Sequence, residues 1–533
     1  MTRCRFLLVG TLTLGCVAVP TVPTVASASA SSSPCDSWRA PISGSWSNAA
    51  NWTGGVPGDG AATAVCITVP GTYTVTLAPW DFGTSDFAHP GASVVSLTLG
   101  ATHGKGRQTL KIDGVSSTSD SNEQVNVTSL STTAASVIRA RGHLVLATTD
   151  GGTKPKGVPY GGYASVNGAA YVNYGTITTT VQDPKNKVAN ITQFYSALNN
   201  KRGGIVADKS GLLAVNSVAN NGEITVAEGA AMDLASQGPG GLPSGVFTNS
   251  GVIRNGGTVS AQGGTWAQLG GEITGNPVAL QDGTNLVDRA GPAMFLANAG
   301  SAGLSGTVPE GQTITVVGSV YNYQGENYNV TTLGLGGTTV VNDGSIVLDA
   351  QGPKTTGGGA VISGGTIRNN GSIVAEVEHS SWTDSWQIGL VNNESGRVTV
   401  AGGVMNESGD GSDTNAGTVT LAPGAAWLLQ EGSAFTNEAG GRIVPEIAGP
   451  TRVGQFDVAS PCCNGPGVVN AGGELVPTLV GGYKPPAKQE FPVVELVGGK
   501  FVGTFMPIKG AFKADYNHET TSPAFVGIVY QAG

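Results

Sequence analysis

Charge is scarce in this sequence. Only 12% of the residues are charged, about half the share of an average globular chain, and acids outnumber bases by 36 to 27. Such a surface is a poor partner for nucleic acid or for an anionic membrane. Histidine is rarer still: the five residues are scattered singly, so spacing supports neither a metal set nor a catalytic triad, and no metal or cofactor is expected. No phosphate loop, dinucleotide fingerprint or Gly-x-Ser-x-Gly elbow stands in a strand-turn-helix context, and Ser244 of Gly240-Gly-Leu-Pro-Ser-Gly245 sits in a turn. Beyond the N-terminus helical periodicity is almost absent, which points to an all-β chain.

What is present begins with an export signal. Arg3 and Arg5 precede a mostly apolar run from Phe6 to Val19, followed by Ala26-Ser-Ala-Ser-Ala30 with small residues at signal-peptidase spacing. The apolar run is about fourteen residues long, short of the roughly twenty that span a bilayer. Residues 1–30 therefore read as a secretory signal peptide, cleaved after Ala28 or Ala30, and no membrane insertion is expected. Cys16 follows Thr13-Leu-Gly15, which lacks the aliphatic residue that opens a lipoprotein box. Loss of Arg3 and Arg5 takes the formal net charge from −9 to −11.

Glycine is abundant at 83 residues, and hydrophobic residues at 39% suffice for a core in a chain of this length. Apolar and polar residues alternate over four to six positions and are then interrupted by Gly, Asn or Asp, as in Gly222-Glu-Ile-Thr-Val226. One phrase recurs: apolar-x-Asn-x-Gly-x-(Ile/Val). It reads Val172-Asn-Tyr-Gly175, Ala219-Asn-Asn-Gly222, Thr248-Asn-Ser-Gly251, Val341-Asn-Asp-Gly344 and Arg368-Asn-Asn-Gly371, with looser copies around Asn393, Asn415, Asn437 and Asn470. Asn221 to Asn249 and Asn342 to Asn370 are each 28 residues; Asn393, Asn415 and Asn437 follow at 22. Sandwich strands return every 8 to 12 residues, whereas one coil of a three-sided β-helix needs a little over twenty. The expected fold is a right-handed parallel β-helix in which Asn stacks on Asn at a corner, Asn and Gly tolerating a left-handed backbone there. About 25 residues and about 4.8 Å of rise per coil give some fourteen coils and a rod of about 65 to 70 Å. Its open ends require caps. We divide the chain into residues 1–30 (signal), 31–95 (Trp- and Cys-containing N-terminal cap), 96–450 (β-helix repeats) and 451–533 (C-terminal cap).

The opening Gly44-Ser-Trp46-Ser-Asn48-Ala-Ala-Asn51-Trp52, leading through Pro57 to Cys66, resembles the Trp-x-x-x-x-Asn-Trp start of many bacterial autotransporter-like β-helix proteins. Phe456-Asp-Val, Val469-Asn-Ala-Gly-Gly473, Gly482-Tyr-Lys-Pro-Pro, Phe491-Pro-Val-Val-Glu-Leu-Val and Val502-Gly-Thr-Phe505 resemble the closing module of those passengers. The resemblance implies a passenger-like secreted protein, and since Gly533 is reached without a barrel, sorting motif or apolar anchor, no translocator of its own is expected.

Four cysteines follow the signal in a chain bound for an oxidising place. A rod separates Cys35 and Cys66 from Cys462 and Cys463 by far more than the 7 Å or so that a disulfide tolerates, so Cys35 is expected to pair with Cys66. For Cys462 and Cys463 a vicinal bridge, two free thiols and a link to a second molecule all stay open.

Candidate chemistry gathers in Glu376-Val-Glu378-His379-Ser-Ser-Trp382-Thr-Asp384-Ser-Trp386. Alternation sets Val374, Glu376 and Glu378 on one strand face and Ile373, Ala375 and Val377 on the other. Two carboxylates about 7 Å apart would suit an inverting glycosidase, with Asp384 nearby and Trp382 and Trp386 to stack on sugar; a solvated face explains the same pattern. Tyr321, Tyr323 and Tyr328, interleaved with Asn322, Asn327 and Asn329, form a second candidate carbohydrate surface, though tyrosine is also common in half-buried strands. Asp410-Gly-Ser-Asp413 could hold calcium but fits no calcium-loop pattern. His103, Lys105, Arg107 and Lys111 read as decoration of a strand end rather than as a polyanion site. Repetition without a compact site favours a secreted or cell-surface structural and adhesive protein with extracellular glycans as partners; the alternative is an extracellular polysaccharide hydrolase or lyase on the same scaffold.

Overall fold

A computed structural model describes residues 35–58, 63–78, 91–115, 127–149, 163–181, 191–235, 245–318, 321–323, 326–328, 330–351, 359–377, 383–408, 411–430, 432–460, 465–516 and 524–531. The chain divides into Met1–Ser32 and Ser33–Gly533, and every described residue belongs to the second unit. The expected signal peptide, residues 1–30, thus lies outside the described residues, as do Cys462 and Cys463.

Alternation in the sequence becomes alternation of burial. Ile224 and Val226 of Glu223–Val226 are buried while Glu223 and Thr225 are only half covered. That strand pairs in parallel with Ile205–Asp208 on one side and with Val252–Asn255 on the other, each taken from a neighbouring stretch of chain. The same row runs from Gly44–Ser45 through Tyr73–Leu77, Gln108–Val115, Gly142–Thr149 and Thr176–Val181 to Glu272–Gly275. Parallel neighbours supplied by successive passes of one chain define a solenoid, with all inward side chains meeting in one dry interior. Aromatic rings stack along that interior: Phe247 on Trp266 with centroids 4.0 Å apart, then Trp386, Trp427, Phe435 and Phe456 further on.

The Asn-x-Gly phrase forms the corner, for a different reason from the one expected. Asn173, Asn200, Asn220 and Asn249 are fully buried, and each Nδ2 donates to the side-chain oxygen one coil on: 2.9 Å at the first three steps and 3.2 Å from Asn249 to Gln268. Asn342, Asn369, Asn392, Asn415 and Asn437 form a second row with every step at 2.7 Å. The second Nδ2 hydrogen reaches a backbone carbonyl of the next coil, as from Asn369 to Arg397 O at 3.1 Å. Gly222 N donates back to Asn220 Oδ1, closing a local turn. None of these corner Asn, nor Gly175, Gly222, Gly251, Gly344 or Gly371, adopts a left-handed backbone. Glycine is needed there because coils stack too closely for a side chain: a Cβ at Gly222 would sit 2.3 Å from Gly204 O. In the doubled pairs the inward residue is the first, so the rungs are Asn220, Asn369 and Asn392 rather than Asn221, Asn370 and Asn393. Asn470 is no rung; it is half exposed and donates to Thr436 Oγ1.

Between the two rows the coil changes section. The row that ends at Glu272–Gly275 stops, and Val278–Gln281 and Asn285–Ala290 stand in a narrower coil. Ser301–Val308 then forks: Ser301 to Gly303 lie opposite Thr332 to Gly334, whereas Thr307 and Val308 lie opposite Val341 and Asn342. A third strand row is regained, but the ladder has been broken. Gln268 Nε2 turns to Gly271 O, and Asn342 Oδ1 has no donor below it.

At the N-terminal end Trp38, Trp46 and Trp52 are fully buried, edge to face at 4.9 Å, with indole N–H groups on Ile42 O, Pro57 O and Trp46 O. Cys35 and Cys66 are disulfide-bonded across adjacent strands, their Cα atoms 5.9 Å apart. At the far end the pairing turns antiparallel, Glu490–Val497 against Ala524–Tyr530 against Phe512–Asp515.

Candidate functional site

Corner length varies along the first ladder, and the variation cuts a groove. Four residues, 201–204, join Asn200 to the next strand; two join Asn220 to Glu223 and Asn249 to Val252; three follow Gln268. Two short corners between longer ones leave a dip of about 690 Å³. Arg202 and Gly203 form one bank, Gly270 and Glu272 the other, and Asn221-Gly222 and Ser250-Gly251 the floor. The exposed apolar side chain of Ile205 adds a non-polar face. Arg254, from the same strand as Val252, ion-pairs with Glu223 at 3.0 Å and lies largely in solvent.

The second ladder has short corners too, but their outer side chains bind one another. Asn370 Nδ2 donates to Asp343 Oδ1 at 2.7 Å and Asn393 Nδ2 to Asn370 Oδ1 at 2.6 Å. Among the described residues, the side chains of Asn221 and Ser250 form no such bonds. The Asn221 amide and the Ser250 hydroxyl on the groove floor therefore face solvent with hydrogen-bonding capacity to offer.

Elsewhere the structure scatters the residues singled out from the sequence. Ile373 and Ala375 point inward and Glu376 is exposed, opposite Asp349 and Gly402 on the flanking strands, as alternation requires. Glu378 and Trp382 lie outside the described residues, and Asp384 is placed only as a member of Thr383–Asn392. Trp386 corrects its expectation: it is fully buried, its ring 6.2 Å from that of Trp427, because it falls on the inward parity of its strand, and it presents no face to a sugar. Tyr321–Tyr323 and Glu326–Tyr328 pair antiparallel with Tyr321 opposite Tyr328; their side chains lie outside the described residues. Asp413 is fully buried and accepts from Leu390 N at 2.8 Å, which removes it from any surface calcium loop; Asp410 is outside the described residues. Lys111 is tied to Asp113 at 2.6 Å, and His103, Lys105 and Arg107 are exposed. No group of three or more His, Cys, Asp or Glu is placed to hold a metal among the described residues.

Sequence reading missed the buried acids. Burial pushes Asp208 up to about 7 although Thr179 Oγ1 donates to it at 2.7 Å. Burial pushes Asp288 up to about 8, the Gln312 side chain and the Arg289 backbone holding it down only in part. Glu407 and Asp413 are raised together, by burial first and for Glu407 by the neighbouring Asp413. Strand parity gives the signal that would have found them: Val206, Leu286, Met405 and Asn415 are inward, so Asp208, Asp288, Glu407 and Asp413, two positions away, are inward as well. His143, half-buried beside Arg107 and Lys209, is lowered to about 4, chiefly by desolvation.

No family model matches the sequence, and no curated protein matches it. One solved structure with similarity is that of a TibC-catalysed hyper-glycosylated TibA fragment, 14% identical over 82% of this chain and 97% of that chain, with a TM-score of 0.18. So loose a superposition supports no statement about the activity or partners of this chain. No helix among the described residues is long and apolar enough to cross a membrane.

Proposed function

We propose that the chain is a secreted or cell-surface adhesive β-helix, passenger-like and right-handed, that binds extracellular glycans in the groove over the first asparagine ladder. Residues 31–95 and 451–533 cap the shaft and residues 96–450 carry its coils. Right-handedness follows from the strong preference of parallel crossover connections. Export fits the sequence of residues 1–30, and a disulfide between Cys35 and Cys66 suits an oxidising compartment.

The observation that carries the reading is the unpaired polar floor of the groove, Asn221 and Ser250 between Arg202 and Glu272, beside an exposed Ile205. Sugars offer hydroxyls for amide, hydroxyl and carboxylate groups and C–H faces for an apolar side chain. The groove is shallow and open along the shaft, which fits reversible contact repeated over many copies rather than engulfment of one ligand. A net negative surface favours neutral glycans over polyanionic ones.

The test is a panel of soluble and insoluble polysaccharides incubated with the mature protein, with retention and reducing-end release read in the same wells. Retention without product, abolished in Arg202→Ala and kept in Glu376→Gln, is the expected result. Product release that disappears in Glu376→Gln would replace the adhesive reading with that of a polysaccharide-degrading enzyme.

A further inference from the structure

Glu407 closes the strand Val404–Glu407, and Asp413 lies in Ser412–Asn415. The two side chains are 1% and 0% exposed. Trp427 Nε1 donates to Glu407 Oε2 at 2.8 Å, and Leu390 N donates to Asp413 Oδ1 at 2.8 Å. Among the described residues no other N–H or O–H donates to Glu407 Oε1 or Asp413 Oδ2, and the two carboxyls are hydrogen-bonding neighbours. Two ionised carboxylates cannot face each other in an apolar interior at small cost; one proton held between them turns the repulsion into a hydrogen bond.

Among the described residues, the surroundings leave no other ion to take that proton's place. Register sets Trp386 and Leu429 on either side of Glu407, and Leu390 and Phe435 on either side of Asp413. All four are fully buried and none is ionisable. Among the described residues, the only charge acting on Glu407 is Asp413.

We propose that Glu407 and Asp413 form a proton lock that holds the C-terminal coils closed in acid and lets them open as the medium becomes alkaline. The folded pair takes up protons more readily than an unfolded carboxyl, so its stabilising effect is complete below the ordinary carboxylate range. It weakens as pH rises through about 7, where Asp413 titrates first, and is lost when Glu407, which burial and the Asp413 charge hold protonated, gives up the shared proton in turn. Above that, the second charge is relieved by water reaching the pair, which requires Val404–Glu407 and Ser412–Asn415 to part from the coils on either side. This lock is independent of the groove: its failure would leave glycan binding untouched.

Hydrogen exchange of the full mature chain from pH 5 to 8.5, corrected for the intrinsic pH dependence of exchange, reads the opening directly. In peptides covering 404–415 the opening constant is expected to rise by up to about tenfold per pH unit for each buried proton, while peptides covering 64–77, in the N-terminal coils, stay flat. Glu407→Gln keeps an oxygen for Trp427 and supplies an amide donor to Asp413, which leaves one buried proton to titrate, so the slope of its 404–415 peptides should be shallower than that of wild type. A flat wild-type response, or a Glu407→Gln slope equal to that of wild type, would overturn the proposal. Should Glu407→Gln fail to fold, a shallower slope in Asp413→Asn and the wild-type contrast between 404–415 and 64–77 decide the matter on their own.

Discussion

The two asparagine ladders share one inner design and differ in the row of side chains just outside it. Inside, Asn173 to Asn249 and Asn342 to Asn437 use the same amide-to-amide bonds and the same donation to the next coil's backbone. Outside, the second ladder closes on itself through Asp343, Asn370 and Asn393, whereas the first leaves Asn221 and Ser250 facing solvent. The inner row builds the shaft; the outer row decides whether a corner is finished or available. Between them, the narrowed coil shows what the inner row requires: where the section changes, Gln268 Nε2 turns to a backbone carbonyl and Asn342 Oδ1 loses its donor.

Substitution within the inner rows should have the largest effect and should be alike in both. Asn200→Ala and Asn392→Ala each strand buried donors and acceptors on two neighbouring rungs, at about 2 to 4 kcal/mol, read from denaturant midpoints. A much smaller loss at either would break the equivalence of the ladders. Replacing Cys35 and Cys66 by serine removes a cross-link of separation 31 and should cost about 3 kcal/mol. Limited proteolysis would show that loss confined to the N-terminal coils.

The narrowed coil gives a pH-dependent contrast. Asp288 and Asp208 are raised to about 8 and about 7, so the folded state holds their protons where the unfolded chain has released them. Stability is then greatest below about pH 4 and falls as pH rises to about 8. Thermal melts of Asp288→Asn should lose part of that slope and gain stability over wild type at pH 9. An unchanged slope would mean that Asp288 meets water.

Much of this was legible in the sequence. Alternation and the Asn-x-Gly period gave parallel coils, and the separation of the cysteines gave the Cys35–Cys66 pair. What escaped depends on neighbours one coil away. Nothing local tells Asn220 from Asn221 until the inward parity of Val218 is fixed, and the fork at Ser301–Val308 has no motif. Trp386 was misread because its acidic and aromatic neighbours suggested a surface, while its own parity matched the buried Ile388 and Leu390. The groove was missed because it depends on corner lengths compared between coils, not on residue types.

The smallest structural effects carry the functional difference. Asn370→Ala removes two outer bonds of the second ladder and should cost about 1 kcal/mol with glycan retention unchanged. The most direct measurement sets that variant beside the double variant Asn221→Ala, Ser250→Ala, recording unfolding midpoint and polysaccharide retention for both. The double variant is expected to keep the wild-type midpoint and lose retention. Retention at the wild-type level, or a fall in midpoint like that of Asn370→Ala, would contradict the assignment of the first ladder's outer row to binding.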